Sequence, residues 1–252
     1  MQKQGIVRIG TSGIVLPVSK MNFPEGHKAD SRLAYYSSIF NTVEINSSFY
    51  RVPMPSTFQR WSADVPLNFK FSVKLWREIT HKKELAYDLN KLKSFLTAAD
   101  NLGDRKGCLL IQLPPSLTID NLPALETLIT RIQKFERHHP WHICVEFRNA
   151  SWYTTNVEGL CKSLNVSIVM HDMPGSVPPE QYGSMSIVYK RFHGTNGKYS
   201  GSYSEKYLTH ESQKVVQHLS DNSDVYLYFN NTIDAAFYNA TFIKEILSGF
   251  SP

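Results

Sequence analysis

Short runs of apolar and β-branched residues alternate along the chain with longer segments in which apolar residues recur three or four positions apart. The short runs have the length and composition of β-strands. The eight predicted strands are IVRIGTS (6–12), TVEINS (42–47), FKFSVKL (69–75), CLLIQLP (108–114), HICVEFR (142–148), SIVMHD (167–172), SIVYKRFHG (186–194) and VYLYFNN (225–231).

The longer segments predict amphipathic helices between most of these strands. They cover residues 31–40, 56–64, 85–102, 122–138, 156–164, 204–219 and 233–247. The gap between the sixth and seventh strands contains MPGSVPPEQYG, which has too much Pro and Gly for a regular helix. The sixth crossover is therefore expected to be a loop or a single turn.

Strands that alternate with helices predict an α/β protein built from parallel βα units. Eight such strands in about 250 residues match a single (β/α)8 barrel of the triosephosphate-isomerase type, with residues 1–252 as one domain and the sixth crossover helix short or missing. The alternative is a doubly wound open sheet, although the first strand lacks the GxGxxG turn that such a fold often uses for dinucleotides.

Composition narrows the class of protein. Of 252 residues, 42% are hydrophobic and 19% are charged, which is typical of a globular domain. The longest apolar runs are far shorter than the roughly 20 residues of a membrane span, and the first ten residues lack the apolar stretch of a signal peptide. We therefore expect a cytoplasmic protein without a membrane partner. The net charge of +5 suits an anionic partner, but no basic run concentrates it.

Charged residues interrupt the predicted core strands near their carboxyl ends. In ICVEFRNASW (143–152), Glu146 and Arg148 lie two residues apart, so both point to one side of the strand while Val145 and Phe147 point to the other. The same alternation predicts a set of inward-facing polar residues: Glu44, Asn46, Lys74, Gln112, Glu146, Arg148, Asp172, Arg191, His193 and Asn230. Barrel enzymes place their active sites at this rim.

The predicted ring contains three carboxylates and three cations, so it can neutralise itself. Ionic networks also close barrel ends without any chemistry, and this structural interpretation stays open. The loops that follow the strands add candidate ligand-binding residues, namely Tyr50, Arg51, His81, Trp152 and Asn231. Aromatic rings beside Arg and Lys suit a ligand that has both a flat face and a negative charge, as nucleotides have.

Several reaction types can be compared with these residues. Glycoside hydrolysis is disfavoured because cations beside Glu44 and Glu146 would lower the pKa of the acid. Acyl transfer lacks both a GxSxG turn and a cysteine at a strand end. Phosphoester hydrolysis fits better, since Glu44, Glu146, Asp172 and His193 are ligand types for a divalent metal and the arginines could clamp phosphate. The cations compete for those carboxylates, so no metal site is assigned and the cofactor is left open.

The leading hypothesis is an enzyme, with phosphoester hydrolysis as its candidate reaction, that acts on a small phosphorylated, nucleotide-like or nucleic-acid substrate. Lys74, Arg148 and Arg191 would hold the anion, and Glu44 or Glu146 would act as acid or base, with Asp172 and His193 as further catalytic candidates. The competing hypothesis is a non-catalytic barrel that binds a nucleotide or RNA through the same ring.

Seven motifs also carry a resemblance to a known family. IGTSG, NTVEINSSFYRVP, WSADVPLNFKFSVKLWREITHKKEL, LIQLPPS, HICVEFRNASW, YKRFHG and VYLYFNNT occur in this order across nearly the whole chain. Together they resemble the YecE-like family, catalogued as domain of unknown function 72. The resemblance implies a triosephosphate-isomerase-type barrel, but it implies no reaction, substrate or cofactor. Where relatives usually have Trp after the TSG turn, this chain has Ile14, which weakens the expectation of a stacked ligand near strand one.

Overall fold

Parallel strands and the helices between them make up most of the structure, a computed structural model that describes residues 5–135, 140–180 and 186–249. The strands in these ranges are β1 (Val7–Thr11), β2 (Thr42–Ile45), β3 (Lys70–Lys74), β4 (Lys106–Gln112), β5 (His142–Glu146), β6 (Ser167–Ile168), β7 (Met170–His171), β8 (Ile187–Phe192) and β9 (Asp224–Phe229). The helices are α1 (Arg32–Ile39), α2 (Ser47–Tyr50), α3 (Pro55–Ala63), α4 (Arg77–Thr80), α5 (Leu89–Ala99), α6 (Leu122–Phe135), α7 (Thr155–Ser163), α8 (Glu205–Ser220) and α9 (Ala236–Ser248).

The strands form two parallel sheets, with the orders β2-β3-β4-β5-β6 and β1-β9-β8-β7. In the larger sheet each strand lies beside the strand that precedes it in the chain. A doubly wound sheet instead reverses its strand order at a switch point. The predicted α/β class with parallel βα units is confirmed, and the consecutive order does not match the doubly wound alternative.

Several contacts link the two sheets. The Gly13 N–H donates to the Glu44 carbonyl at 2.7 Å, and Ser12 and Glu44 form an isolated parallel bridge. Upstream of this bridge, a Cβ on Gly10 would lie 2.1 Å from the Thr42 carbonyl oxygen, so only glycine allows β1 to come this close to β2. At the other side, a single residue, Val169, separates β6 from β7.

Helices α1, α3, α6, α7 and α8 begin within one residue of their predicted starts. Side chains of Ser31, Thr154 and Ser204 cap α1, α7 and α8 by accepting a backbone N–H of the first turn. Helix α6 buries Leu125, Leu128, Ile129 and Ile132, which recur at helical spacing on one face. None of the helices in the described part of the chain has the length and apolar character needed to cross a bilayer.

Strands in both sheets are buried on both faces. One face packs against the helices in the main core, where Leu109 and Ile111 of β4 lie. The opposite faces form a second, smaller cluster that unites both sheets: Cys108, Leu110, Cys144, Val169, Tyr189, Tyr226 and Tyr228. Side chains between the two sheets therefore come from β4, β5, β8 and β9 alike.

The structure differs from the predicted elements in a few places. The expected sixth strand is divided at Val169 into β6, which pairs with β5, and β7, which pairs with β8 in the other sheet. The helix predicted over 85–102 begins only at Leu89, since Leu85 has a positive φ of 52°. The described crossover residues 173–180 contain no α-helix, as expected; the rest of that crossover, and the end of the helix predicted over 122–138, lie outside the described residues.

Candidate functional site

Arg191 lies at the centre of a buried ionic network. Strand β8 places its guanidinium where Nη1 donates to Glu146 Oε2 at 2.6 Å and Nη2 donates to Glu44 Oε1 at 2.8 Å. The side chain is only 1% exposed. Burial alone would lower the pKa of Arg191, but the two carboxylates raise it well above its usual value. Arg191 is therefore a permanent cation that joins β2 to β5 through β8.

Glu44 has both carboxylate oxygens engaged. Oε1 accepts from Ser12 Oγ at 2.6 Å as well as from Arg191, and Oε2 accepts from the Tyr189 hydroxyl at 2.6 Å. Burial would raise the pKa of Glu44, yet Arg191 and the two hydroxyl donors lower it below the usual value. A carboxylate bound in this way stays ionised, so it holds Arg191 in place and is poorly suited to donate a proton.

Glu146 and Arg148, the charged pair at the end of β5, contact each other directly. Arg148 Nε donates to Glu146 Oε1, while Arg191 binds the second oxygen. Burial opposes ionisation of Glu146, but Arg191 and then Arg148 lower its pKa well below the usual value. Glu146 is thus an ionised bridge between two arginines, and this explains why a core strand carries two charges on one side.

His193 connects the arginines to Asp172. Its Nε2 lies 3.0 Å from Arg148 Nη2 and 3.2 Å from Arg191 Nη1, and its Nδ1 lies 3.1 Å from Asp172 Oδ1. Guanidinium groups only donate, so Nε2 must accept and the proton must be on Nδ1. Burial, opposed by Asp172, lowers the pKa of His193, which agrees with a neutral ring. In this arrangement Nε2 is already occupied and cannot take a proton from a substrate.

Three further residues belong to this network, and the sequence interpretation had not selected them as site residues. They are Ser12, Tyr189 and Tyr203. A fourth, His171, lies beside the network with its ring 5.9 Å from that of His193. Tyr189 lies two positions before Arg191 on β8, so the same alternation that identified Arg191 could have found it. Tyr203 donates to Asp172 Oδ2 and accepts from the Gly194 N–H at 2.6 Å. It comes from the loop before α8, where no periodic pattern marks an inward-facing residue.

Lys74, at the end of β3, has a different environment from the arginines. Its Nζ lies 4.0 Å from the centre of the Phe49 ring, and in the described residues it makes no ion pair within 4.0 Å. Burial and then Arg191 lower the pKa of Lys74 to about 8. The His81 ring also lies 4.8 Å from the Phe49 ring, and burial followed by Lys74 lowers the pKa of His81 to about 4. Lys74 and His81 therefore lie beside the ionic network without being bound into it.

Trp152 does not offer a ring face to a ligand, contrary to the expectation from its position after β5. It is 0% exposed, its indole N–H donates to the Leu117 carbonyl at 2.8 Å, and its ring stacks on Phe147 with centroids 4.8 Å apart. The alternation along β5 points Phe147 toward the helices, so Trp152 is packed in the main core.

The remaining predicted ligand-binding residues are spread around the strand ends. Tyr50 and Arg51 are exposed at the end of α2. Gln112 donates to the Leu113 carbonyl, Asn230 is buried, and the buried Asn231 donates to Gly201 and Asn239.

Three polar atoms at the carboxyl ends of strands are buried without a hydrogen-bond partner in the described part of the chain. They are Asn46 Oδ1 after β2, Arg191 Nε on β8 and Asn231 Oδ1 after β9. Unsatisfied buried groups are uncommon in folded proteins and each calls for an explanation. Their position at the same ends of the strands marks this region as able to take further hydrogen bonds.

The four residues considered as metal ligands fit a resident metal poorly; they are Glu44, Glu146, Asp172 and His193. Over residues 5–135, 140–180 and 186–249, no three His, Cys, Asp or Glu side chains are placed to hold a metal ion. Glu44 and Glu146 both face Arg191, and Asp172 is bound by His193. A metal would have to displace these cationic or hydrogen-bonded partners.

The buried His171 gives a pH-dependent prediction. Its Nδ1 accepts from the Met173 N–H and its Nε2 donates to the Phe147 carbonyl, while burial lowers its pKa to about 4. Below pH 6.5 the unfolded chain binds a proton at this histidine, whereas the folded chain excludes it until the pH falls to about 4. The contribution of neutral His171 to the free energy of unfolding is therefore full above pH 6.5 and is lost as the pH falls. The slope from one such group is up to about 1.4 kcal/mol per pH unit.

We expect His171→Gln to reduce that slope in urea denaturation measured at pH 7, 5.5 and 4.5. Comparison of the variant with the unmodified protein isolates His171, because the other histidines with lowered pKa values, His81, His142, His193 and His218, are present in both. An unchanged slope in the variant would show that His171 is not a neutral, buried group.

Comparisons with known proteins place the chain among related sequences. The model of the family described as "Protein of unknown function DUF72" matches residues 8–250. UPF0759 protein YecE of Escherichia coli (strain K12) is 33% identical over 93 residues, which are 37% of this chain and 34% of that protein, so the match spans about a third of this relative. UPF0759 protein YunF of Bacillus subtilis (strain 168) is 25% identical over an alignment that covers 83% of both chains. The crystal structure of a DUF72 family protein from Thermotoga maritima MSB8 is similar with a TM-score of 0.76 and 26% identity, covering 96% of this chain and 99% of that chain.

Proposed function

We propose that this chain, which belongs to the DUF72 family of proteins of unknown function, is an enzyme that acts on a small phosphorylated or nucleotide-like substrate. The reaction would take place where the strands end at Glu44, Lys74, Glu146 and Arg191. The proposal rests on the three cations that lie close together there, Lys74, Arg148 and Arg191. Lys74 has no carboxylate partner in the described residues.

We also propose that the two sheets form one (β/α)8 barrel and that the chain is a single domain. The bridge from Ser12 to Glu44 and the hydrogen bond from Gly13 support closure between β1 and β2. The single residue between β6 and β7 supports closure at the other side. A barrel would bring the four strand ends of the site to one rim, where barrel enzymes bind substrates.

The contacts of the carboxylates change the roles that the sequence suggested. Glu44 and Glu146 have lowered pKa values and bind the arginines, so we assign them the role of holding Arg191 and Arg148 in position. Lys74, with a pKa of about 8, is then the group in this region best matched to gain or lose a proton near neutral pH. Phosphoester hydrolysis assisted by a metal is less well supported, because the expected ligands are occupied.

A second candidate is a non-catalytic barrel that binds a nucleotide or RNA. It is favoured by one specific observation: Arg191 and Arg148 are already neutralised by Glu44 and Glu146. A network that is satisfied without a ligand can serve binding or stability alone. The two candidates share the phosphate contacts and differ in turnover.

Both the enzyme and the binding barrel predict that Lys74→Met weakens binding of inorganic phosphate and of ribose 5-phosphate by about tenfold, because one charge-assisted contact of about 1.4 kcal/mol is lost. Isothermal titration at pH 7 measures this. The matched control is Lys70→Met, which removes a lysine from the other end of the same strand and should leave affinity unchanged.

Equal losses in both variants, or no binding of either anion by the unmodified protein, would contradict the phosphate site. Long incubation with a panel of sugar phosphates and nucleotides then separates the two candidates. Conversion of any bound compound supports the enzyme, whereas saturable binding without a product supports the binding barrel.

A further inference from the structure

The half-buried Lys74 differs in its contacts from two other shielded lysines, the buried Lys106 and the half-buried Lys190. Lys106 and Lys190 each have a carboxylate partner, Asp100 and Glu211 respectively. This is the usual arrangement for a buried cation, because an isolated charge is costly to remove from water. The side-chain amine of Lys74 makes no hydrogen bond or ion pair with any residue that the structure describes, although Glu44 and Glu146 lie near enough to influence its charge. Those carboxylates are bound by the arginines instead.

Two contacts define the surroundings of Lys74 at the end of β3. Ser48 Oγ donates to the Lys74 carbonyl at 2.7 Å, which joins α2 to the end of β3. The same short helix places the Phe49 ring 4.0 Å from Nζ. The hydrogen bond anchors the backbone from which the side chain extends, and the ring lies beside the amine. Neither contact occupies the lone pair of neutral Nζ.

The charges around Lys74 favour the neutral amine. After burial, Arg191 is the largest influence that lowers its pKa, and Arg148 adds to it; Glu146 and Glu44 act in the opposite direction. With a pKa of about 8, roughly a tenth of the amine is neutral at pH 7 and about half at pH 8. A lysine becomes a nucleophile when it is desolvated beside other cations, as it is here.

We propose that Lys74 is a nucleophile that forms a Schiff base with the carbonyl group of a phosphorylated aldehyde or ketone. The proposal rests on the phosphate site proposed above, since it names the substrate class of that site. The lone pair of neutral Nζ adds to the carbonyl carbon, and the C–N bond forms. The carbonyl oxygen then leaves as water with both amine protons, which gives the imine, and addition of water reverses the step.

The arginines have a defined part in this chemistry. Arg148, whose side chain is 9% exposed, carries donors suited to the phosphate group, as does Arg191, whose Nε has no hydrogen-bond partner among the described residues. Their charge also disfavours protonation of Lys74. One pair of residues would thus both bind the substrate and keep the nucleophile reactive.

Reductive trapping tests the inference. Glycolaldehyde phosphate with sodium cyanoborohydride converts an imine into a stable secondary amine, which intact-mass measurement and peptide mapping locate. We expect Lys74 to be labelled at least about tenfold faster than Lys70, in line with site-specific activation of an amine. Lys70 is the matched comparison because it lies on the same strand, has a pKa lowered by burial and Arg8, and donates to the Asp104 carbonyl at 2.5 Å. The labelling rate of Lys74 should rise as the pH passes through about 8.

Lys74→Arg provides the second variant, since it keeps the positive charge but has no nucleophilic amine. It should lose the adduct and keep phosphate affinity within about threefold, with thermal melting as the check on folding. If the unmodified protein binds phosphate but Lys74 is labelled no faster than Lys70, the Schiff base is wrong and the phosphate site stands. If glycolaldehyde and its phosphate label Lys74 equally fast, the nucleophile stands and the phosphate site is wrong.

Discussion

Replacement of Arg191 by alanine should lower the free energy of unfolding by about 3–5 kcal/mol and abolish binding of phosphorylated anions. The guanidinium is 1% exposed and donates to Glu146 at 2.6 Å and to Glu44 at 2.8 Å. Both carboxylates are fully buried, so the variant would leave two negative charges without their common partner. Loss of one member of a buried ion pair is costly because the remaining charge is uncompensated. Urea denaturation at pH 7 measures the change in stability, and phosphate titration of the folded fraction measures binding.

Arg51→Ala is the control for Arg191→Ala. Arg51 is exposed at the end of α2, so its loss should change stability by no more than about 0.5 kcal/mol, while weakening anion binding. If Arg191→Ala is destabilised and neither variant changes the affinity for any anion tested, the ionic network is structural and the proposed function is wrong. A loss below about 1 kcal/mol for Arg191→Ala would contradict the buried network itself.

Trp152→Ala should also lower the free energy of unfolding by about 3–5 kcal/mol, but with no change in anion affinity. The indole is fully buried, stacks on Phe147 at 4.8 Å and donates to the Leu117 carbonyl. Its removal leaves a cavity in the main core and an unpaired carbonyl. Urea denaturation and phosphate titration measure the two quantities separately.

Trp152→Phe separates packing from hydrogen bonding at the same position. It retains an aromatic ring for the stack and loses the indole N–H, so we expect a smaller cost of about 1–2 kcal/mol. A drop in anion affinity in either folded variant would show that Trp152 contributes to the binding surface, contrary to what its burial indicates.

The sequence predicted the elements well because their signals are local. The alternation of residues along β5 required Glu146 and Arg148 to share one side, and the structure joins them directly. Prolines 178 and 179 made a regular helix unfavourable after β7, and residues 173–180 contain no α-helix. The one-turn helices α2 and α4 were not predicted, since four residues are too few to display a helical period.

The sequence could not predict which side chains form ion pairs and contacts with each other within the site. Arg191 binds Glu44, 147 positions away, and Glu146, 45 positions away, and no local pattern encodes either pairing. The same limit applies to Trp152, whose place in the core depends on how the loop after β5 folds back on Phe147. Tyr203 reaches Asp172 from an irregular loop, where side-chain direction has no period to follow.

The sequence by itself therefore determined which residues are charged and near the end of which strand each lies, although β5 and β7 end before Arg148 and Asp172. Only the tertiary structure decided that the arginines bind the carboxylates and that the Lys74 amine lies beside the Phe49 ring with no carboxylate partner among the described residues. The physical reason is that strand alternation is fixed by backbone geometry within a few residues. The partner of a buried charge, and with it the pKa, depends instead on distances of a few ångströms between strands that are remote in the chain.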